Sequence, residues 1–388
     1  MDRMKGWLSR YWGALLIVAV FVAIVGGLWA NRYSRLAFQT AYLVADTFVA
    51  LPPNPYEWAT GEPVRERLTI ASLDGERGRV EADLYSPPGD GRHGAVLVVI
   101  GAAPEALEDP RVVRLARGVA RTGVVVMIPR LDQLLQDRLV PQEIDEIALA
   151  FQSLRQMDAV DPQRVGIIGF SAGAGLALVA ATDSTIRDDV AFVASFGGYY
   201  DIFDLIAAVT THTITENGRS LPWQPAVKSV QVLRSSVISY VDDAAERELL
   251  TAIFTYGLQA DPAVVDGLSP LGRFAYSLLA NTDPERVDEL FAAAPAKAVA
   301  NLRRASPSTY IDDLRAEVFI IHDRNDRFVP YVESRRLAQS LRPTNSISYV
   351  ELDIFRHVTP RATPNPITFL VDLLKLFFEI YRLGLRLT

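Results

Sequence analysis

Three short stretches hold side chains whose types and spacing could do chemistry together. The first is Gly169-Phe170-Ser171-Ala172-Gly173, a G-x-S-x-G pattern. A serine hydroxyl is a weak nucleophile at neutral pH and needs a base within hydrogen-bond reach, with a third group to orient that base. The second stretch, His322-Asp323-Arg324-Asn325-Asp326-Arg327-Phe328-Val329-Pro330, supplies carboxylates. The third, Asp353-Ile354-Phe355-Arg356-His357, supplies an imidazole. Ser171, Asp326 and His357 follow in the chain order expected when the serine lies on a strand-to-helix elbow. The chemistry would be attack of the hydroxyl on a carbonyl carbon. A lone G-x-S-x-G is also compatible with a plain glycine-rich loop, so the flanking elements matter.

Those elements fit. Val165 to Phe170 is a short apolar run that predicts a buried parallel strand, and Ala172 to Ala181 is rich in Ala and Leu and predicts a helix. Ser171 sits at the joint, near the positive end of that helix. Further apolar runs at Ala95 to Ile100, Val124 to Ile128, Val190 to Phe196, Val318 to His322 and Ser346 to Leu352 alternate with helical patterns at 111–121, 144–157 and 331–341. Such alternation implies βαβ units and an α/β fold with a mostly parallel, twisted sheet covered on both faces. An antiparallel hairpin, Glu66 to Ser72 and Arg79 to Tyr85 with Asp74-Gly75 between them, opens this part. From Tyr199 to about Ala305 the alternation stops. Helical spacing recurs at 230–241, 246–256 and 286–302, which predicts a helical insertion over the C-terminal edge of the sheet, a lid. The closing helix, Ile367 to Leu383, is very apolar. It is expected to pack on the sheet, with a second membrane contact as the rival reading.

Composition narrows the rest. The first 35 residues carry +4, which leaves −11 of the total −7 for the remainder. An acidic body with no basic stripe is a poor partner for nucleic acid. There is no cysteine, so disulfides and thiolate metal sites are excluded. The four histidines, His93, His212, His322 and His357, form no metal-ligand pair by spacing, and no metal is expected. Tyr11 to Asn31 is an uncharged run that as a helix would span about 30 Å, flanked by Trp7, Tyr11 and Trp12 on one side and Trp29 and Tyr33 on the other. It is expected to be a single membrane anchor. A cleaved signal peptide and a buried core helix are the rivals. Lysine and arginine weakly favour a cytoplasmic N-terminus, which would place the body outside the cytoplasm. Residues from Leu36 to Leu51 could continue as helix until Pro52-Pro53-Asn54-Pro55 breaks it.

The soluble part resembles the α/β-hydrolases, and most of all the dienelactone hydrolase and prolyl-oligopeptidase-like esterase groups. The residues that carry the likeness are Asp161 to Gly173, the His322 to Pro330 segment and the loop holding His357. It covers the chain from about Glu66 to the C-terminus apart from the insertion. The resulting division is 1–35 as anchor, 36–65 as juxtamembrane helix and linker, 66–198 and 306–388 as the hydrolase core, and 199–305 as the lid insertion.

The resemblance implies Ser171 as nucleophile, His357 as general base and acid, and Asp326 as the carboxylate that orients it. The acid segment in these families often runs H-G-x-x-D-x-x-V-P. Asp323 stands here where glycine is usual, which makes it the nearest competitor for the acid role; Asp201 is a more distant one. His322 would break the chain order as base and is expected to be structural, and His93 and His212 to be solvated. The oxyanion would take N–H groups from Ala172 and from the loop after Ile100. There relatives often carry H-G-G-P and this chain has Gly101-Ala102-Ala103-Pro104, so Ala103 or Ala102 must donate. The implied activity is cleavage of a carboxylic ester or related acyl bond in a small-molecule or lipid-like substrate, without a cofactor. The altered 101–104 loop keeps open a fold-retaining binding or scaffold protein, and the same triad could serve acyl transfer or peptide cleavage. The oligomeric state is not legible.

Overall fold

The computed structural model of the protein describes residues 27, 31–49, 60–71, 79–341, 346–361 and 365–388. The expected membrane span at 11–31 falls almost wholly outside these, as do the proline-rich break at 52–55 and the Asp74-Gly75 turn. Among the described residues no helix is long and apolar enough to cross a membrane.

In chain order, helix α1 (Arg32–Val49) is followed by strands β1 (Val64–Ala71), β2 (Arg79–Ser86) and β3 (His93–Val99), helix α2 (Pro110–Arg121), β4 (Val125–Pro129), α3 (Glu143–Arg155), β5 (Val160–Phe170), α4 (Ala172–Ala180) and β6 (Phe192–Phe196). Next come α5 (Ile202–Thr211), the small hairpin β7 (Thr213–Glu216) and β8 (Arg219–Pro222), and helices α6 (Val227–Ser239), α7 (Ala244–Tyr256), α8 (Pro270–Ala280) and α9 (Ala296–Arg304). The chain closes with β9 (Glu317–Asp323), α10 (Tyr331–Ser340), β10 (Ile347–Leu352), the two-residue strands β11 (Phe355–Arg356) and β12 (Thr359–Pro360), and α11 (Pro366–Leu387).

Eight strands form one sheet in the order β1-β2-β4-β3-β5-β6-β9-β10. β2 runs antiparallel to both its neighbours, and the pairs from β4 to β10 are parallel. The central strands are buried on both faces, which is why they read as unbroken apolar runs rather than alternating ones. Alternate residues then separate the two layers. Leu97, Met127, Ile167 and Ile320 face α3, α4 and the insertion; Val96, Val126, Phe192 and Phe319 face α2 and the end of α11.

Helix α1 is part of this second layer. Leu43 packs against Gly118 of α2, Leu36 against Gly384 of α11, and Val44 shares a cluster with Leu376, so α1 and α11 run antiparallel with α1 also touching α2. α11 packs on the sheet through one side only. Ile367, Leu370, Val371, Leu374 and Phe378 remain exposed, so its high apolar content serves two faces.

The 199–305 segment differs from expectation in detail. It contains the β7–β8 hairpin as well as helices, and the helix expected across 286–302 is broken. A 3₁₀ turn at Pro284–Arg286 and a short helix at Val287–Ala292 precede α9, whose N-cap is Pro295. Proline lacks the N–H and clashes with the carbonyl four residues back, so the helix must restart there. The segment is fastened to loops at the C-terminal ends of β4 and β9. Leu139 N–H donates to Ser236 Oγ at 2.8 Å, Tyr240 Oη–H donates to Leu139 C=O at 3.0 Å, and Ala226 N–H donates to Arg327 C=O at 2.6 Å.

Candidate active site

Ser171 lies between β5 and α4 with φ 54° and ψ −130°, a conformation that L-residues adopt only when the surroundings impose it. Its N–H donates to the Phe196 carbonyl at the end of β6 at 2.9 Å, and its carbonyl accepts from Ala174 N–H at 3.0 Å. Both motif glycines are required by close approach. A Cβ at Gly169 would fall inside contact distance of the Ala174 backbone, and one at Gly173 would lie 2.5 Å from the Ile100 carbonyl oxygen. The loop after β3 crosses directly over the serine, where a Cβ on Gly101 would meet Ser171 Cβ at 2.7 Å. Ala102, Ala103 and Ala172 line the same cavity as Ser171 and His357. Ala172 opens α4, where helix geometry leaves the N–H without an intrahelical acceptor.

His357 occupies the turn between β11 and β12 with φ 63°. Its Nδ1 is 2.6 Å from Asp326 Oδ2. A carboxylate only accepts, so Nδ1 carries the hydrogen, and in the neutral ring Nε2 holds the lone pair. That Nε2 is buried and without a hydrogen-bond partner among the described residues. No direct hydrogen bond joins it to Ser171. The two side chains line one cavity, with neighbouring strand ends between them: Ser171 N–H is bonded to the Phe196 carbonyl, and the next residue, Gly197, packs against the His357 ring.

Asp326 is itself fully enclosed. Its Oδ1 accepts from Phe328 N–H at 2.6 Å and Val329 N–H at 3.2 Å, while Oδ2 faces both His357 and, at 3.3 Å, His322 Nε2. Burial alone would raise its pKa, but the two histidines outweigh burial and hold the carboxyl well below its ordinary range, so it is ionised at neutral pH. Asp323 does something else. Its Oδ1 accepts from Asn325 N–H at 2.7 Å and its Oδ2 from Phe355 N–H at 2.9 Å, which ties the loop bearing His357 back to β9. Burial pushes its pKa up to about 6.

Of the other sequence candidates, His322 touches Asp326, and Asp201, His93 and His212 form no hydrogen bond with Ser171, His357 or Asp326 among the described residues. Asp201 caps α5 by accepting from Phe203 N–H and receives Ser308 Oγ–H at 2.6 Å. His322 is buried between Ser334 Oγ and the Val329 carbonyl. His93 is bonded to the Gly123 carbonyl through Nδ1 at 3.1 Å and is only partly exposed, not solvated as expected, and His212 ends α5 on the surface in a left-handed conformation. Three supporting residues escaped sequence reasoning. Phe328 stacks on the His357 ring at 4.6 Å between centroids, Gly197 at φ 62° leaves room for that ring, and Trp223 Nε1–H donates to the Asp326 carbonyl at 3.0 Å. The Gly197-Gly198 pair at a strand end was a readable signal; the Trp223 contact spans 103 residues of chain and was not. Among the described residues no group of three or more His, Asp or Glu could hold a metal ion.

Comparisons agree with this architecture. A family model described as BD-FAE matches residues 262–341, a stretch that includes His322 and Asp326 but neither Ser171 nor His357. No curated protein matches the chain in sequence. Among solved structures, a puromycin hydrolase superposes with a TM-score of 0.50 at 16% identity, covering 86% of this chain and 40% of that one. A puromycin-hydrolyzing peptidase of Mycobacterium tuberculosis gives 0.47 at 18% identity, with 86% and 40% covered. An acylaminoacyl peptidase gives 0.46 at 14%, with 82% and 42% covered. The chain spans about 40% of the length of the puromycin hydrolase it resembles. With the strand order above, the likeness shows an α/β-hydrolase fold.

Proposed function

We propose that the protein is a serine hydrolase that cleaves a carboxylic ester or related acyl bond. The observation that carries this reading is the pairing of His357 Nδ1 with a buried, ionised Asp326, which leaves Nε2 free inside the cavity that also holds Ser171. In the first half-reaction Nε2 takes the Ser171 proton as Oγ attacks the carbonyl carbon. The negative charge that develops on oxygen is met by the N–H groups of Ala172 and of Ala103 or Ala102. His357 then hands its proton to the departing alkoxide, leaving an acyl-enzyme. Water, deprotonated by the same nitrogen, attacks the acyl carbon and releases the acid.

The segment 199–305 would act as a lid that sets substrate preference. Residues 11–31 would anchor the chain in the cell membrane, with the catalytic body outside the cytoplasm. Turnover of short p-nitrophenyl esters by the full chain, lost by at least a thousandfold in Ser171→Ala, is the expected result. Equal turnover in both proteins would overturn the mechanism, and none in either would favour a fold-retaining binding protein. For the anchor, the full chain should stay with membranes after an alkaline carbonate wash and leave them only with detergent; release by carbonate would remove that assignment.

A further inference from the structure

The cavity at Ser171 has a volume of about 500 Å³ and extends well beyond the reacting atoms in two directions. One lobe lies beneath the insertion, against Ile206, Val232 and Leu233, and includes the polar groups of Lys228, Ser229 and Tyr240. The other passes Phe170 and Phe196 and follows the sheet face along Val98 and Val126 to α1 and α11, where Leu36, Thr40 and Leu43 face Leu376, Ile380 and Leu383. Helix α1 overlies this second lobe for about 16 Å, from Leu36 to Thr47. Val126 is buried, whereas Ile100, Ile168, Phe170 and Phe196 on this face are only partly buried and line the cavity that reaches the nucleophile.

We propose that this second lobe is the binding site for a long, unbranched acyl chain, so that the substrates are long-chain acyl esters with a smaller, more polar alcohol part held beneath the insertion. The inference rests on the serine-hydrolase reading for its chemistry, but the lobe's apolar walls and its length stand independently of it. The carbonyl at Ser171 is the junction of two regions: one is walled mainly by hydrocarbon, with Gln39, Asp46, Asp109, Arg111 and Arg114 where α1 and α2 border it, and the other carries the hydroxyl and ammonium groups beneath the insertion. An ester with one apolar and one polar arm matches that division, and the arm that gains most from leaving water belongs in the hydrocarbon lobe.

The test uses the full chain in detergent with p-nitrophenyl esters from acetate through butyrate and octanoate to dodecanoate. Each added methylene should raise kcat/KM by up to about fourfold until the lobe is filled. Thr40→Trp in α1 and Ala116→Phe in α2, both of which intrude on the lobe far from Ser171, should lower the dodecanoate-to-butyrate ratio of kcat/KM at least tenfold. A flat wild-type profile, or a ratio unchanged in folded variants, overturns the proposal. If no ester of any length is turned over, the hydrolase reading fails and the lobe is judged by binding alone. Cis-parinaric acid should then show a saturable rise in fluorescence on the wild-type chain, and no saturable rise sinks the assignment.

Discussion

Asp323 and Asp326 stand three residues apart, are both buried, and have different tasks. Asp326 touches the imidazole, whereas Asp323 holds the backbone of the loop that carries it. Asp326→Asn should keep the shape but lose the charge that fixes the ring's tautomer, and kcat should fall by about 10³–10⁴ with little change in KM. Asp323→Asn weakens only the hold on Phe355, and the resulting small misplacement of His357 should cost about tenfold to a hundredfold. Ester turnover by the two variants checks this, and equal losses would remove the distinction. The pattern H-G-x-x-D-x-x-V-P placed its carboxylate at Asp326 and left Asp323, in the usual glycine position, as the competitor. It could not show that Phe355 would donate to one of them, because that bond depends on how β10 and β11 return to β9. Gly101 is a similar case: the motif departure in 101–104 was visible, but the need for a missing Cβ over Ser171 appears only in three dimensions.

At the scale of elements, Glu143 joins the short helix at Asp132–Leu135 to α3 by accepting from Gln133 N–H at 2.7 Å and Leu134 N–H at 3.0 Å. Its burial pushes the pKa from 4.5 up to about 8, and burial pushes Glu333, beneath the Gly198–Asp201 turn, up to about 7. Folded protein therefore holds protons that unfolded chain has released, and stability falls as pH rises from about 5 toward 8. Glu143→Gln keeps the acceptor and removes the proton linkage. Its unfolding free energy from urea titration should exceed that of wild type at pH 8.5 by on the order of 1–3 kcal/mol, and approach or fall below it at pH 5. Glu333 would retain part of the slope. Parallel pH curves for the two proteins would contradict this.

Element type was legible wherever a strand is buried on both faces or a helix is rich in Ala and Leu, as after Ser171. It was less so in the insertion. Ser269-Pro270 starts α8 with the serine as N-cap and proline in the first turn, yet proline reads as a breaker when the cap is overlooked. Asn217-Gly218, both at positive φ, makes the β7–β8 turn, a signal short enough to be lost among helices.

The whole molecule depends on α1 more than its place near the N-terminus suggests. A helix from 36 to 51 was expected as part of a juxtamembrane linker; in the structure Leu36 and Val44 of α1 are buried, Leu36 against Gly384 of α11 and Val44 in a cluster with Leu376 and the end of β10. Periodicity predicts a helix and is silent about which distant helix accepts it. Replacing Leu36 and Val44 together by Ala should therefore cost several kcal/mol, each contributing roughly 1.5–3 kcal/mol of lost burial. Thermal unfolding of the double variant beside wild type decides the point, and equal melting temperatures would show that the packing of α1 contributes nothing.

The central claim is that Ser171, activated by His357 and Asp326, is the reacting atom's carrier. The most direct measurement is reaction of the full chain with a fluorophosphonate, followed by peptide mass spectrometry. The account predicts one phosphonyl adduct per chain, located on Ser171, absent in Ser171→Ala and slowed at least a hundredfold in His357→Ala. An unmodified Ser171, or an adduct that forms as fast without His357, would contradict it.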